Sequence, residues 1–236
     1  MRISRTTITR LNRVVDEWVP PRLRDSRPAA WAARRLYGEL PIEIDELKDS
    51  AFSLTRAEYA DFYRALSSKV DLGASDLTTP SMAAVVAAVT GPSVLDVACG
   101  KGLLASKLAR EHRVVGCDVA LATGDRAVEN CGFVRCEGLV EELPFARASF
   151  DTVVSTHTLE HVRDLPLALA ELRRVARQRL VIVVPRQRPY RVTFNPHIHF
   201  FPYRFSLLAW TGTERRFSCE LVGGDWLYVE AIEERA

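Results

Sequence analysis

Val94-Leu95-Asp96-Val97-Ala98-Cys99-Gly100-Lys101-Gly102 reads as a buried strand that runs into a glycine loop and opens a helix. Gly100 and Gly102 let the backbone approach a ligand closely, and the helix that follows, Leu103 to Glu111, offers N-terminal N–H groups to it. Val114-Val115-Gly116-Cys117-Asp118 is a second strand, so a parallel βαβ array begins here. It continues in strands near 133–136, 150–155 and 179–184, with helices near 122–129 and 164–177 between them. That alternation predicts a doubly wound α/β sheet. Phe217 to Val222 and Trp226 to Ile232 flank Gly223-Gly224-Asp225 with no room for a crossover helix, which makes them an antiparallel hairpin and brings the sheet to seven strands.

Upstream of residue 91 the period is helical. Ile8, Leu11, Val14, Val15 and Trp18 line one face of an amphipathic helix that Pro20-Pro21 ends, and further helices are expected at 28–37, 55–69 and 80–89. We therefore divide the chain into a helical N-terminal extension, residues 1–90, acting as a lid or substrate cap, and a ligand-binding core, residues 91–236. Residues 1–35 carry a net charge of +6 and the remainder −4, within a total of +2 over 236 residues. The 47% hydrophobic content excludes disorder as the dominant state. The longest uncharged stretch, Leu77 to Leu95, contains Pro80, Gly91 and Pro92 and is unsuited to spanning a bilayer. The N-terminus lacks the apolar run of a signal peptide, and Cys99, Cys117, Cys131, Cys136 and Cys219 are odd in number and mostly in apolar contexts. A cytoplasmic location is expected, with the cysteines as small hydrophobic residues.

Asp118 stands eighteen residues beyond Gly100 at the end of a strand, where an acid can accept hydrogen bonds from ribose hydroxyls. The loop and the acid together point to a nucleoside. Gly100-x-Gly102-x-x-Ala105 also matches the dinucleotide fingerprint, but Asp96 would repel a pyrophosphate and could instead pair with the ammonium of an amino-acid tail, as in S-adenosylmethionine.

At these residues the chain resembles the class I S-adenosylmethionine-dependent methyltransferases, over about residues 92–232. Glu141-Glu142-Leu143-Pro144-Phe145, Ser149-Phe150-Asp151-Thr152-Val153-Val154 and Leu159-Glu160-His161-Val162 occur in the order and spacing of the small-molecule, ubiquinone/menaquinone-methyltransferase-like branch. The resemblance implies a Rossmann-like sheet and S-adenosylmethionine as cofactor, with S-adenosylhomocysteine as product. It places Asp96 on the methionine amino group, Asp118 on the ribose, and Leu139, Val140 and Glu141 along the adenine. Ala98, Cys99, Gly100, Gly102, Val119 and Thr156 complete the cofactor set. Three positions depart from the family. Ala98 replaces the first loop glycine, is the smallest alternative, and is expected to be tolerated if its φ is negative. Leu139 or, with a shifted register, Glu137 stands where an Asp commonly precedes the Leu-Pro-Phe block. Ala176-Arg177-Gln178-Arg179 replaces a Pro-Gly-Gly turn.

Methyl transfer is a displacement that needs alignment, plus a base where the acceptor must lose a proton. His157 and His199 are the candidates on the catalytic side, since both segments leave the carboxyl edge of a parallel sheet. His161 reads as a packing residue and His112 as a helix-end residue. His157-x-x-Glu160-His161 offers ligand-capable side chains at helical spacing, and the ubiquinone-pathway O-methyltransferases carry an acid in place of His157. Many relatives share the Leu-Glu-His block without metal, and none is expected here. Pro185 to Tyr203, with Arg186, Arg188, Arg191, Tyr190, Phe194, Asn195, His197 and His199, reads as a substrate loop or as a solvated connection. Tyr63, Arg188, Tyr190, Asn195 and His197 are the substrate-side candidates, and the arginines suit an anionic acceptor.

The expected activity is methyl transfer to O or N of a small metabolite, anionic or lipid- or sugar-linked. A catalytically silent protein of the same fold and an NAD-dependent oxidoreductase are the alternatives. A nucleic-acid substrate is disfavoured by the negative core charge and by Asn195-Pro196-His197-Ile198 following the fifth strand, where base-modifying relatives carry Asn-Pro-Pro-aromatic after the fourth. Membrane contact is peripheral at most, through the basic N-terminal helix, and the protein is expected as a monomer or homodimer.

Overall fold

The computed structural model describes residues 3–4, 18–37, 40–71, 75–119, 132–189, 191 and 196–233. The helices expected over 8–17 and 122–129, together with Cys131, Tyr190, Phe194 and Asn195, lie outside the described residues. The chain forms two compact units, residues 1–73 with 187–200, and residues 74–186 with 201–236. The division therefore differs from the 90/91 boundary read from the sequence: the helix Thr79–Ala88 belongs with the sheet, and 187–200 belongs with the N-terminal residues.

The smaller unit holds strands β1 (Ile3–Ser4) and β2 (Val70–Asp71), paired in parallel, and helices Pro21–Arg24, Arg27–Tyr37, Leu47–Ser50 and Arg56–Lys69. Thr55 starts the last of these with a reciprocal cap, its amide donating to Glu58 Oε2 at 2.8 Å and its hydroxyl accepting the Glu58 amide at 3.3 Å. Ala33, Ile44, Leu47, Ala51, Phe62 and Leu66 are buried together, with Ile198 against them. Tyr63 donates its hydroxyl to the Pro196 carbonyl at 3.2 Å, and Lys48 donates to the Arg191 carbonyl at 3.0 Å.

In the larger unit β3 (Ser93–Val97), β4 (Arg113–Asp118), β5 (Val134–Glu137), β6 (Phe150–Thr156), β7 (Ala176–Pro185), β8 (Phe217–Val222) and β9 (Asp225–Ala231) form one sheet in the order β5-β4-β3-β6-β7-β9-β8. The first five strands are parallel, and β9 pairs antiparallel with both β7 and β8. The seven-stranded, mostly parallel sheet with a terminal antiparallel hairpin is thus the fold the sequence predicts. Gly223 and Gly224, at φ 61° and 98°, close the hairpin as a two-residue turn needing left-handed backbone.

Strands buried on both faces read as continuous apolar runs, and the faces separate cleanly. Leu95, Val97, Val153 and Ile182 pack in one cluster with the helix Leu165–Val175, while Val94, Val154, Val181 and Val183 pack in another with Val85, Leu104 and Leu108. Burying each such side chain contributes about 1.5–3 kcal/mol. The helix Leu165–Val175 begins at Asp164, whose side chain accepts the Leu167 amide. It ends at Val175, and β7 starts at once with Ala176; the sequence placed a helix end at 177 and a strand start at 179. The departure from the family turn thus lengthens β7 instead of forming a loop. The helix Arg204–Thr211 was not anticipated.

Candidate cofactor and active site

Strand order reverses between β3 and β6, and in open α/β sheets ligands bind outside the carboxyl ends of the strands at such a switch point. Asp96, Ala98, Cys99, Gly100 and Gly102 lie at the end of β3, Asp118 and Val119 at the end of β4, and Thr156 and His157 at the end of β6. The loop is tightly built. Ala98 and Cys99 both donate their amides to the Cys117 carbonyl, at 2.7 and 3.2 Å, and the Gly102 amide returns to the Cys99 carbonyl at 2.8 Å. Gly100 donates its amide to Asp118 Oδ2 at 2.7 Å. These two hydrogen bonds to the Cys117 carbonyl accompany a tight turn in which Ala98 has φ 58°. The condition set for Ala98, a negative φ, is therefore not met, and the residue holds the left-handed conformation at a cost of about 1–3 kcal/mol.

Asp96 is 1% exposed, and its Oδ2 is buried with no hydrogen-bond partner. Burial, then the charge of Asp118, pushes its carboxyl up to about 7, against the lowering effect of the Ala105 amide. Asp151, at the opposite end of β6, shows the structural alternative. There Ser93 donates both hydroxyl and amide to Oδ2, Arg177 reaches Oδ1 at 2.9 Å, and the carboxyl is held below its ordinary range. A buried carboxyl with one oxygen unpartnered, next to a second acid, suits a cation. Leu139 to Glu142 form a turn whose neighbour Gly138 donates its amide to the Asp118 carbonyl at 3.0 Å, so the expected adenine-side segment stands beside the expected ribose acid.

His157 also has left-handed backbone, φ 52°, and donates its amide to the Val183 carbonyl at 2.9 Å. Its side chain lies between two carboxylates, with Nδ1 3.4 Å from Glu160 Oε1 and Nε2 3.6 Å from Asp225 Oδ2. These are ion-pair distances, longer than hydrogen bonds. Burial lowers the imidazole pKa, but the interactions with Asp225 and Glu160 outweigh it and raise it to about 9. Ser81, near the start of the helix Thr79–Ala88, donates to Asp225 Oδ2 at 2.8 Å. Asp225 and Ser81 were not anticipated; Asp225 read only as part of a hairpin turn, a pattern that carries no sign of a partner.

Tyr63, Arg188, His197 and His199 belong to the smaller unit. There His197 is buried with Nδ1 against Gln187 Oε1, His199 meets the Phe52 ring edge-on at 6.0 Å, and Arg188 is exposed. His112, read as a helix-end residue, has Nδ1 2.9 Å from the Gly91 carbonyl. Cys99, Cys117, Cys136 and Cys219 are free thiols, and burial raises the Cys99, Cys117 and Cys219 pKa values. Among the described residues no helix is long and apolar enough to cross a membrane.

Residues 95–184 match the methyltransferase domain family. The chain is 34% identical over 132 residues to a demethylmenaquinone methyltransferase of Thermobifida fusca, covering 52% of this chain and 56% of that one. It is 30% identical over 145 residues to a 2-phytyl-1,4-naphtoquinone methyltransferase of Synechococcus elongatus, covering 56% and 62%. The chain thus spans about half the length of the curated relatives it matches. A S-adenosylmethionine-dependent methyltransferase from Aquifex aeolicus shares the fold at TM-score 0.51 and 19% identity, over 65% of this chain and 90% of that one. Residues 95–184 are thus similar to the methyltransferase domain family, on a seven-stranded, Rossmann-like sheet with a glycine loop at its switch point.

Proposed function

We propose that the protein transfers a methyl group from S-adenosylmethionine to an O or N atom of a small metabolite. The observation that carries this reading is Asp96: a buried carboxyl with one oxygen unpartnered, beside Asp118, at the end of the strand that enters the glycine loop. The residues present fit the cofactor. Asp96 would hold its ammonium, Asp118 its ribose hydroxyls, and Leu139, Val140 and Glu141 its adenine; Gly100 leaves its side-chain position open, with nothing within 4 Å of an added Cβ. Bound there, S-adenosylmethionine supplies an electrophilic methyl on a positively charged sulfur.

The carboxyl edge carries Asp96 and Asp118 at the ends of β3 and β4, and Glu160 and Asp225 beside His157, and this acid-rich edge favours a cationic donor over a pyrophosphate. The NAD-dependent alternative loses its support for that reason. His157, between two carboxylates, keeps its proton at neutral pH, so its basic fraction grows as pH rises toward 9. It accepts the proton of an acceptor hydroxyl or amine in that fraction. His199 is kept as a second candidate on the acceptor side, with Tyr63, Arg188, Tyr190, Asn195 and His197 on the substrate, in a cytoplasmic setting. The names of the relatives favour a naphthoquinone-type ring or a similar small aromatic acceptor.

The test is turnover: purified protein incubated with S-adenosylmethionine and a panel of hydroxylated naphthoquinones, phenols and amines, read as S-adenosylhomocysteine release. Acceptor-dependent release supports the reading. Tight cofactor binding without release from any acceptor favours a catalytically silent protein.

A further inference from the structure

Phe133 and Arg135 lie two residues apart at and just before β5, on the face that meets the glycine loop. Arg135 pairs in register with Gly116 of β4, where an added Cβ would come within 2.8 Å of both Cys99 Sγ and the Phe133 ring. The bare glycine therefore makes the room these side chains use. The Phe133 ring occupies the place a side chain at Gly102 would need, and the Arg135 guanidinium carbon lies 5.9 Å from that ring's centroid. Arg135 Nη2 donates to the Gly100 carbonyl. From the other side Asp118 accepts the Gly100 amide. One cation and one anion thus fix both peptide groups of a single loop residue.

The loop needs such holding, because Ala98, Gly100 and Gly102 all have left-handed backbone, at φ 58°, 53° and 78°. Among the described residues Arg135 Nη1 is buried without a hydrogen-bond partner, so that end of the guanidinium is taken out of water at a cost that the Gly100 contact and the Phe133 ring offset. We propose that Arg135 is a positioning residue that holds residues 98–102 in their ligand-binding shape before any ligand arrives. The purpose of that shape rests on the cofactor reading above; the holding itself does not.

The test is amide hydrogen exchange on the ligand-free full chain, comparing wild type with Arg135→Met and Arg135→Gln, alongside calorimetric titration with S-adenosylmethionine. Exchange of the Gly100 and Gly102 amides is expected to quicken at least tenfold in Arg135→Met and less in Arg135→Gln, while the β9 amides exchange as in wild type and cofactor affinity falls about tenfold. Loop exchange at the wild-type rate in Arg135→Met overturns the proposal. Should Arg135→Met fail to fold, loop exchange at the wild-type rate in Arg135→Gln overturns it equally. A wild type that binds no S-adenosylmethionine while the exchange contrast persists supports the clamp and removes the cofactor reading instead.

Discussion

Asp118 accepts the Gly100 amide at 2.7 Å while its charge adds to burial in raising the neighbouring Asp96 carboxyl to about 7. One acid thus shapes the loop, and the other is a buried carboxyl with one oxygen unpartnered. The ionised form of Asp96 is disfavoured in the ligand-free protein, and a bound ammonium reverses this.

Proton linkage at Asp96 follows directly. At pH 6 most Asp96 is neutral, so pairing with the ammonium releases close to one proton, whereas at pH 8 it releases little. Affinity for S-adenosylmethionine should rise with pH up to about 7 and then level off. Calorimetry in buffers of different ionisation enthalpy reads the proton count, and Asp96→Asn should abolish both the release and most of the affinity.

His157 sets a second pH dependence. Its folded pKa of about 9 exceeds the ordinary 6.5, so its stabilising ion pairs are fully present below 6.5 and are lost as pH rises through 9. Activity dependent on the neutral imidazole should increase roughly tenfold per pH unit below 9. Asp225→Asn removes one of the carboxylates that raise the pKa, and should shift the rising limb of the pH–rate profile to lower pH. An unshifted profile removes His157 from the proton-transfer role.

Ala98→Gly should stabilise the protein by about 1 kcal/mol, because relief of a left-handed alanine exceeds the extra chain entropy glycine brings to the unfolded state. Thermal unfolding checks this, and Ala98→Val should move the melting temperature the other way.

Glu230 is fully buried, and Arg173 donates to it from Nε and Nη2 at 3.0 and 2.8 Å, joined by Arg215 at 3.2 Å and the Tyr228 hydroxyl at 2.8 Å. Glu230→Ala leaves Arg173 without its counter-ion and should cost about 3–5 kcal/mol in denaturant unfolding.

The sheet was legible because its central strands are continuous apolar runs and its hairpin lacks room for a crossover. The positions of Asp96 and Asp118 toward the ends of β3 and β4 were legible because their spacing from the glycine loop reflects one βαβ unit. The φ of Ala98 was not legible because the sequence does not show that two amides share the Cys117 carbonyl. Asp225, Ser81 and Arg135 were missed because each acts through a partner distant in sequence: Ser81 and Asp225 are 144 positions apart, and Arg135 and Gly100 are 35. The helix Arg204–Thr211 was hidden in the stretch between the expected substrate loop and the hairpin.

The most direct measurement is calorimetric titration of the purified protein with S-adenosylmethionine, beside Asp118→Ala and an NAD control. The account predicts binding that Asp118→Ala weakens at least tenfold, about 1.4 kcal/mol, and no heat with NAD. No binding of S-adenosylmethionine, or binding of NAD alone, would contradict it.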